Sequence, residues 1–240
     1  MGISTPKQKN QKELLDEIFN LSNPQHFLQL ANEKLDEERK KREYFYNEVA
    51  EFTKSEFILG EIVIHSPVKK EHNDVLLNLV TLLNTYVKRN NLGYVGIVKV
   101  LISLGRNDYE PDLCFFDNEK SKNFKNDQSI FPAPNLVVEI LSKSTKNNDY
   151  GIKFDDYLAH NVTEYWIIDP IKKVIELYRI NKNEYELILK SGTGTLKSEV
   201  VTGFEINIEN DVNFYTNFFQ GLIFSLDLGL KSCFLIFVFI

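Results

Sequence analysis

The chain is poor in cysteine. Only Cys114 and Cys233 occur among its 240 residues, far apart and with no CxxC pair. That excludes a disulfide framework, offers no zinc module, and makes a reducing cytoplasm the expected compartment. Basic residues are not in excess: 28 Lys and Arg stand against 34 Asp and Glu, for a net charge of −6. This is not the balance of a histone-like DNA binder, although a local basic groove or a carboxylate-rich site remains compatible with it. The opening MGISTPKQKNQKELL lacks the apolar core of a signal peptide. Long hydrophobic runs are missing too. Asp227 and Lys231 interrupt residues 222–240, and the eight apolar residues at 233–240 cannot span a bilayer core of ~30 Å. No membrane association is expected, and the tail reads as a buried strand or interface segment. There is no nucleophile elbow and no HExxH, and Gly192-x-Gly194 has no helical pattern behind it to make a phosphate loop.

What is present is material for a core. Eighteen Phe and eleven Tyr fall within a 43% apolar composition, enough for one packed domain and an extension. Leu14, Leu15, Ile18 and Phe19 share a helical stripe, and Asn23-Pro24 starts a second helix that runs toward residue 50. Its DEERKKRE stretch reads as a solvated face. Residues 1–50 are therefore expected to be a helical extension able to pair with a second copy, 51–220 the main domain, and 221–240 an apolar tail. FILGEIVIHS reads as one strand around Glu61, and residues 70–89 as a helix with Val75, Leu79 and Leu83 on its apolar face. Tyr94 to Leu104 is β-rich, Asn107-Asp108 marks a turn, and strands are expected at 112–116 and 135–141. Residues 149–160 read as a helix, 165–168 as a buried strand, 174–189 as a hairpin, and 191–208 as one or two short strands. Strands with interspersed helices predict an α/β domain.

Two segments carry chemistry, EPDLCFF at 110–116 and NLVVEILSKST at 135–145. Each places a carboxylate in or beside an apolar strand, Asp112 in one and Glu139 in the other. An ionised carboxylate buried there needs a partner or a metal. Two of them converging from neighbouring strands would suit Mg²⁺ or Mn²⁺. His72, opening a helix, and His65, just beyond Glu61, are further polar candidates.

The order of GEIVIHSPVKKEH, NDYEPDLCFF, FPAPNLVVEILSKST and DYGIKFDDYLAHNVTEYWIIDP resembles a large family of restriction-endonuclease-like proteins in the PD-(D/E)xK nuclease superfamily, over about residues 45–215. The resemblance implies a restriction-endonuclease-like core, a mixed central sheet flanked by helices. It implies Mg²⁺-dependent hydrolysis of phosphodiester bonds, most naturally in DNA, by a homodimer. Asp112 and Glu139 match the motif carboxylates, and Glu61 matches a first-strand glutamate that could complete the metal shell with the Ile140 carbonyl. The motif lysine should follow Glu139 by two residues, where this chain has Leu141. The superfamily often moves that lysine to the next helix. Lys153 is then its candidate for the water-activating role, with Asp149 and Tyr157 four residues to either side, and Lys143 is the alternative. His72 also fits the family text. Asn135 stands where the family often has aspartate and reads as a strand-entry residue. Leu141 equally allows an inactive nucleic-acid-binding or regulatory module on the same fold.

Overall fold

The structure, a computed structural model, describes residues 11–212. The apolar tail expected at 221–240 lies outside them, as do residues 7–10 of the first expected helix. Two helices come first, α1 (Gln11–Phe19) and α2 (Pro24–Tyr44), followed by a wide helical turn at Phe45–Val49. Asn23 caps α2 by accepting the His26 N–H at 3.1 Å, and Pro24 sits in the first turn, where a missing N–H is tolerated. Next come β1 (Ser55–Ile58), β2 (Glu61–Ile64), α3 (Lys70–Asn90), β3 (Gly93–Ile97), β4 (Leu101–Leu104), β5 (Asn107–Tyr109) and β6 (Leu113–Asp117). The single turn α4 (Asn118–Ser121) leads to β7 (Ile130–Phe131), β8 (Leu136–Ile140), α5 (Lys146–Asp149), α6 (Ile152–Ala159) and β9 (Glu164–Asp169). The hairpin β10 (Val174–Asn181) and β11 (Glu184–Ser191), then β12 (Thr195–Lys197) and β13 (Glu205–Asn207), complete the chain of strands.

A six-stranded sheet in the order β11-β10-β9-β8-β6-β3 forms the centre. It is mixed: β8 and β9 run parallel, and the other neighbours antiparallel. The fold is thus α/β with a mixed central sheet flanked by helices. Strand alternation divides its side chains between two layers. Leu136, Val138 and Ile140 of β8 pack with Leu113 and Phe115 against Val75, Leu79, Leu83 and Val87 of α3. Val137, Cys114, Phe116, Tyr165 and Ile167 point the other way, to Tyr157 of α6 and to Ile102, Leu104 and Tyr109 of a second sheet. That sheet is ordered β2-β1-β5-β4-β7. Glu139 falls on this second face by parity.

The structure corrects several local readings. FILGEIVIHS is not one strand: Leu59 and Gly60 take φ of 51° and 84°, the chain reverses, and β1 pairs with β2 from Ser55–Ile64 to Ile58–Glu61. The Leu59 N–H donates to Asn107 Oδ1 at 2.7 Å, which pins that turn to β5. Asn107-Asp108 is therefore strand, and the turn falls before it at Gly105, with φ 72°. The helix expected at 149–160 is α6 at Ile152–Ala159; the backbone leaves helical geometry at Gly151, and Asp149 closes the separate turn α5. The charged stretch of α2 is not merely solvated. Arg42 ion-pairs with the fully buried Asp108, which also accepts the Tyr46 hydroxyl at 2.9 Å. Arg106 bonds Glu38 at 2.6 Å, and Phe45 packs on Phe57. The end of the helical extension is thereby docked on the second sheet.

Removing Arg42 would strand Asp108 as a buried charge. Arg42→Ala is expected to cost about 3 kcal/mol in urea unfolding, with Asp108→Asn in the same chain recovering part of it.

Candidate active site

The strands set the centre of the site. Extending the β6–β8 register one residue past Leu113–Val138 brings Asp112 opposite Glu139. Asp112 sits at the entry of β6, where both side-chain layers are in reach. Its Oδ2 accepts the Ile140 N–H at 2.9 Å and lies 3.0 Å from His72 Nε2 on α3. Its Oδ1 accepts from Lys54 Nζ at 2.7 Å. Burial alone would raise the Asp112 carboxyl. The His72 hydrogen bond and the Lys54 charge outweigh it and hold Asp112 well below the usual carboxylate range.

Glu139 has a different environment. Its Oε1 accepts from Lys153 Nζ at 3.0 Å and from the Tyr157 hydroxyl at 3.1 Å, both on α6. Lys153 Nζ also lies 2.8 Å from Glu56 Oε1 and 3.4 Å from Asp149 Oδ1, with the Tyr109 ring centroid 5.7 Å away. Glu56 Oε1 further accepts the Glu110 N–H at 3.1 Å, and His65 Nε2 stands 3.1 Å from Glu56 Oε2. The Lys153 ammonium stays protonated: burial would lower it, but the carboxylates of Glu139, Glu56 and Asp149 raise it well above the lysine range. Three carboxylates around one ammonium leave a surplus of negative charge. Burial, together with Asp149, Asp112 and Glu56, pushes Glu139 up to about 8 against the pull of Lys153. Burial likewise pushes Glu110 up to about 7.

These groups open onto a cavity of about 240 Å³. Lys54, Glu110, Asp112, Glu139 and Lys153 line it, with His65, His72 and the loop Ser142–Thr145. Of the residues singled out from the sequence, Asp112, Glu139, Lys153, Tyr157 and His72 come together here. Glu61 does not. It sits beyond the β1–β2 turn, exposed, paired with Lys41 at 2.8 Å. The glutamate that the first strand delivers is Glu56, on the opposite arm of the hairpin. Gly60 between two β-prone runs was the signal that could have shown it. Lys143 lines the cavity from the loop. Leu141 occupies the motif-lysine position and packs in the apolar layer with Val137 and Tyr157. Asn135 lies at the far end of β8, where it donates to Asp117 Oδ2 at 2.9 Å and accepts the Asp117 N–H at 3.0 Å. Glu110 was legible only as a carboxylate two places before Asp112, and nothing in the local text marked Lys54.

The profile of one protein family, Uma2, described as "Putative restriction endonuclease", matches residues 42–209. A relative from Synechocystis sp., "Uncharacterized protein sll1609", is 30% identical over 139 residues, which cover 57% of this chain and 78% of that protein. Among solved structures, a putative nuclease belonging to DUF820 from Anabaena variabilis shares the fold. Its TM-score is 0.58 at 20% identity, covering 67% of this chain and 90% of that one.

The carboxylate surplus has a pH signature. Glu139 binds its proton more tightly when folded, so between its ordinary 4.5 and about 8 the folded chain holds more protons than the unfolded one. Stability then falls as pH rises through that window, and Glu110 adds to the trend up to about 7. Asp112, held low, acts oppositely and only in acid, below about its ordinary 3.8. The metal-free chain is expected to melt at lower temperature at pH 8 than at pH 5, and Glu139→Gln to show a smaller fall. A flat parent profile in circular dichroism melts would contradict the surplus.

Proposed function

As the chain belongs to the Uma2 family of putative restriction endonucleases, we propose that it is a Mg²⁺-dependent endonuclease that hydrolyses phosphodiester bonds in DNA at the Asp112–Glu139 cavity. The observation that carries this reading is the pair of buried carboxylates facing each other across β6 and β8 at the cavity wall. The donor set fits a hard divalent cation. Five carboxylates, Glu56, Glu110, Asp112, Glu139 and Asp149, are buried around two lysines, Lys54 and Lys153, and Glu139 is raised by burial and by the neighbouring carboxylates Asp149, Asp112 and Glu56. Among the described residues no cage of three or more His, Cys, Asp or Glu ligands is preassembled. Mg²⁺ does not require one, since it keeps several waters and takes one or two carboxylates.

Asp112 and Glu139 would hold the ion, with Mn²⁺ as a substitute, and Ile140 lines the same wall. When bound, the ion neutralises charge on the phosphate and acidifies water at the site. His72 and the Ile140 N–H orient Asp112, while Tyr157 and Lys153 orient Glu139. Phosphate and water approach from the cavity, where the surrounding protein limits competing solvent.

Cutting both strands needs two such sites, so we propose a homodimer aided by the helical extension 1–50 ahead of the main domain 51–220 and the tail 221–240. Leu14, Leu15, Phe19, Leu28 and Leu35 are exposed on α1 and α2, which supports that pairing. Among the described residues no helix is long and apolar enough to cross a membrane. Cys114 is buried and free, in keeping with a cytoplasmic setting. A second reading, a nucleic-acid-binding or regulatory module without catalysis, is favoured by Leu141 at the lysine position.

Calorimetry with Mn²⁺, scored beside nicking of supercoiled plasmid, separates the two. In an Asp112→Ala/Glu139→Ala chain, metal affinity is expected to fall by roughly 10²-fold or more, and nicking to vanish with it. Nucleic-acid binding by a parent that takes up no metal and nicks nothing would favour the module.

A further inference from the structure

With Leu141 at the motif position, a lysine that offsets phosphate charge beside the ion would have to come from elsewhere in the chain. Two lysines reach the site's carboxylates, and their surroundings differ. Lys153 is enclosed. Its side chain is 2% exposed, and its Nζ lies 2.8, 3.0 and 3.4 Å from Glu56, Glu139 and Asp149. An ammonium has three N–H donors, and three carboxylates surround this one. Its charge is thus already engaged by carboxylates of the protein itself. Both lysines border the cavity, but Lys54 makes one ion pair, to Asp112 Oδ1 at 2.7 Å, and its side chain is 23% exposed.

We infer that Lys54 is the catalytic lysine that meets the scissile phosphate, and that Lys153 is a positioning residue for Glu139 and Glu56. This deepens the nuclease reading and rests on it. The two oxygens of Asp112 divide the work. His72 and the Ile140 N–H hold Oδ2, so the carboxylate keeps its orientation without Lys54. Oδ1 receives Lys54 alone among the described residues. A divalent cation held by Asp112 would compete with the Lys54 ammonium for that carboxylate. Lys54 lines the cavity, and on its flexible four-carbon stem the ammonium would remain in reach of a phosphate bound there. Lys54 thus neutralises Asp112 in the free protein and offsets phosphate charge in the loaded one. Lys54 precedes β1 and Asp112 precedes β6, so the pairing of β1 with β5, which leads into Asp112, brings the two together across 58 positions of sequence.

The test measures metal affinity and cleavage on the same full-length proteins: parent, Lys54→Met and Lys54→Arg. Lys54→Met is expected to bind Mn²⁺ several-fold more tightly in calorimetry, because a competing cation is gone, yet to nick plasmid at saturating Mn²⁺ about 10²-fold more slowly. Lys54→Arg is expected to recover at least a tenth of parent nicking. These opposed shifts would not come from a structural role. Nicking by Lys54→Met within threefold of the parent, or weaker Mn²⁺ binding by a chain that melts like the parent, overturns the assignment. Should Lys54→Met fail to fold, Lys54→Gln is read against the same two outcomes. A parent that neither binds Mn²⁺ nor nicks overturns the nuclease reading itself, and the Lys54 assignment with it.

Discussion

The Lys153 ammonium is the point on which the molecule turns. It is buried, and an unpaired charge in the interior would be very costly. Glu56 comes from β1 in the second sheet, Glu139 from β8 in the central sheet, and Asp149 from the end of α5. One side chain on α6 therefore joins two sheets and a helix at a single atom. The Tyr109 ring lies 5.7 Å from it, and the Lys153 side chain is 2% exposed. A hydrophobic replacement of the whole group could pack as well. What the charged version provides is a fixed position for Glu139 at the cavity wall.

That clamp leaves the site with more negative charge than it can neutralise internally. Asp112 is kept ionised by His72 and Lys54, while Glu139 is pushed toward neutrality by burial and by Asp149, Asp112 and Glu56, and Glu110 by burial. Two facing carboxylates with opposite proton affinities are the basis on which a hard cation is proposed there. The same arrangement separates two kinds of lysine. One is consumed in holding the carboxylates apart from water, and the other stands in the cavity with donors to spare. Leu141, at the position of the motif lysine, packs in the apolar layer and contributes no charge to the cavity.

The elements with strong local periodicity were legible in the text. The apolar stripe Val75, Leu79, Leu83 gives α3 its buried face, and the uninterrupted apolar residues around Glu139 give β8. Asp112, Glu139, Lys153, Tyr157 and His72 stood out because a polar group in an apolar run, or at helical spacing from another, is visible locally. Where readings went astray, a turn was decided by a distant group. Leu59-Gly60 reverses the chain, held by Asn107 on β5, and this puts Glu56 inside and Glu61 outside. Asn107-Asp108 looks like turn chemistry, yet those polar side chains serve Leu59, Arg42 and Tyr46 from within a strand.

Local patterning was enough for the α/β class, the long helix, the buried strands and the identity of two carboxylates that must have partners. It could do so because side-chain period and the cost of burying charge act within a few residues. Which charges meet was settled by packing: Lys54 with Asp112, Lys153 with Glu56, and Arg42 with Asp108. Those pairs span long stretches of chain, and an ion pair depends on approach to within about 4 Å, a distance set by how sheets and helices pack. No local spacing encodes that approach, so the chemistry of the cavity became readable only once β1, β6, β8 and α6 were brought side by side.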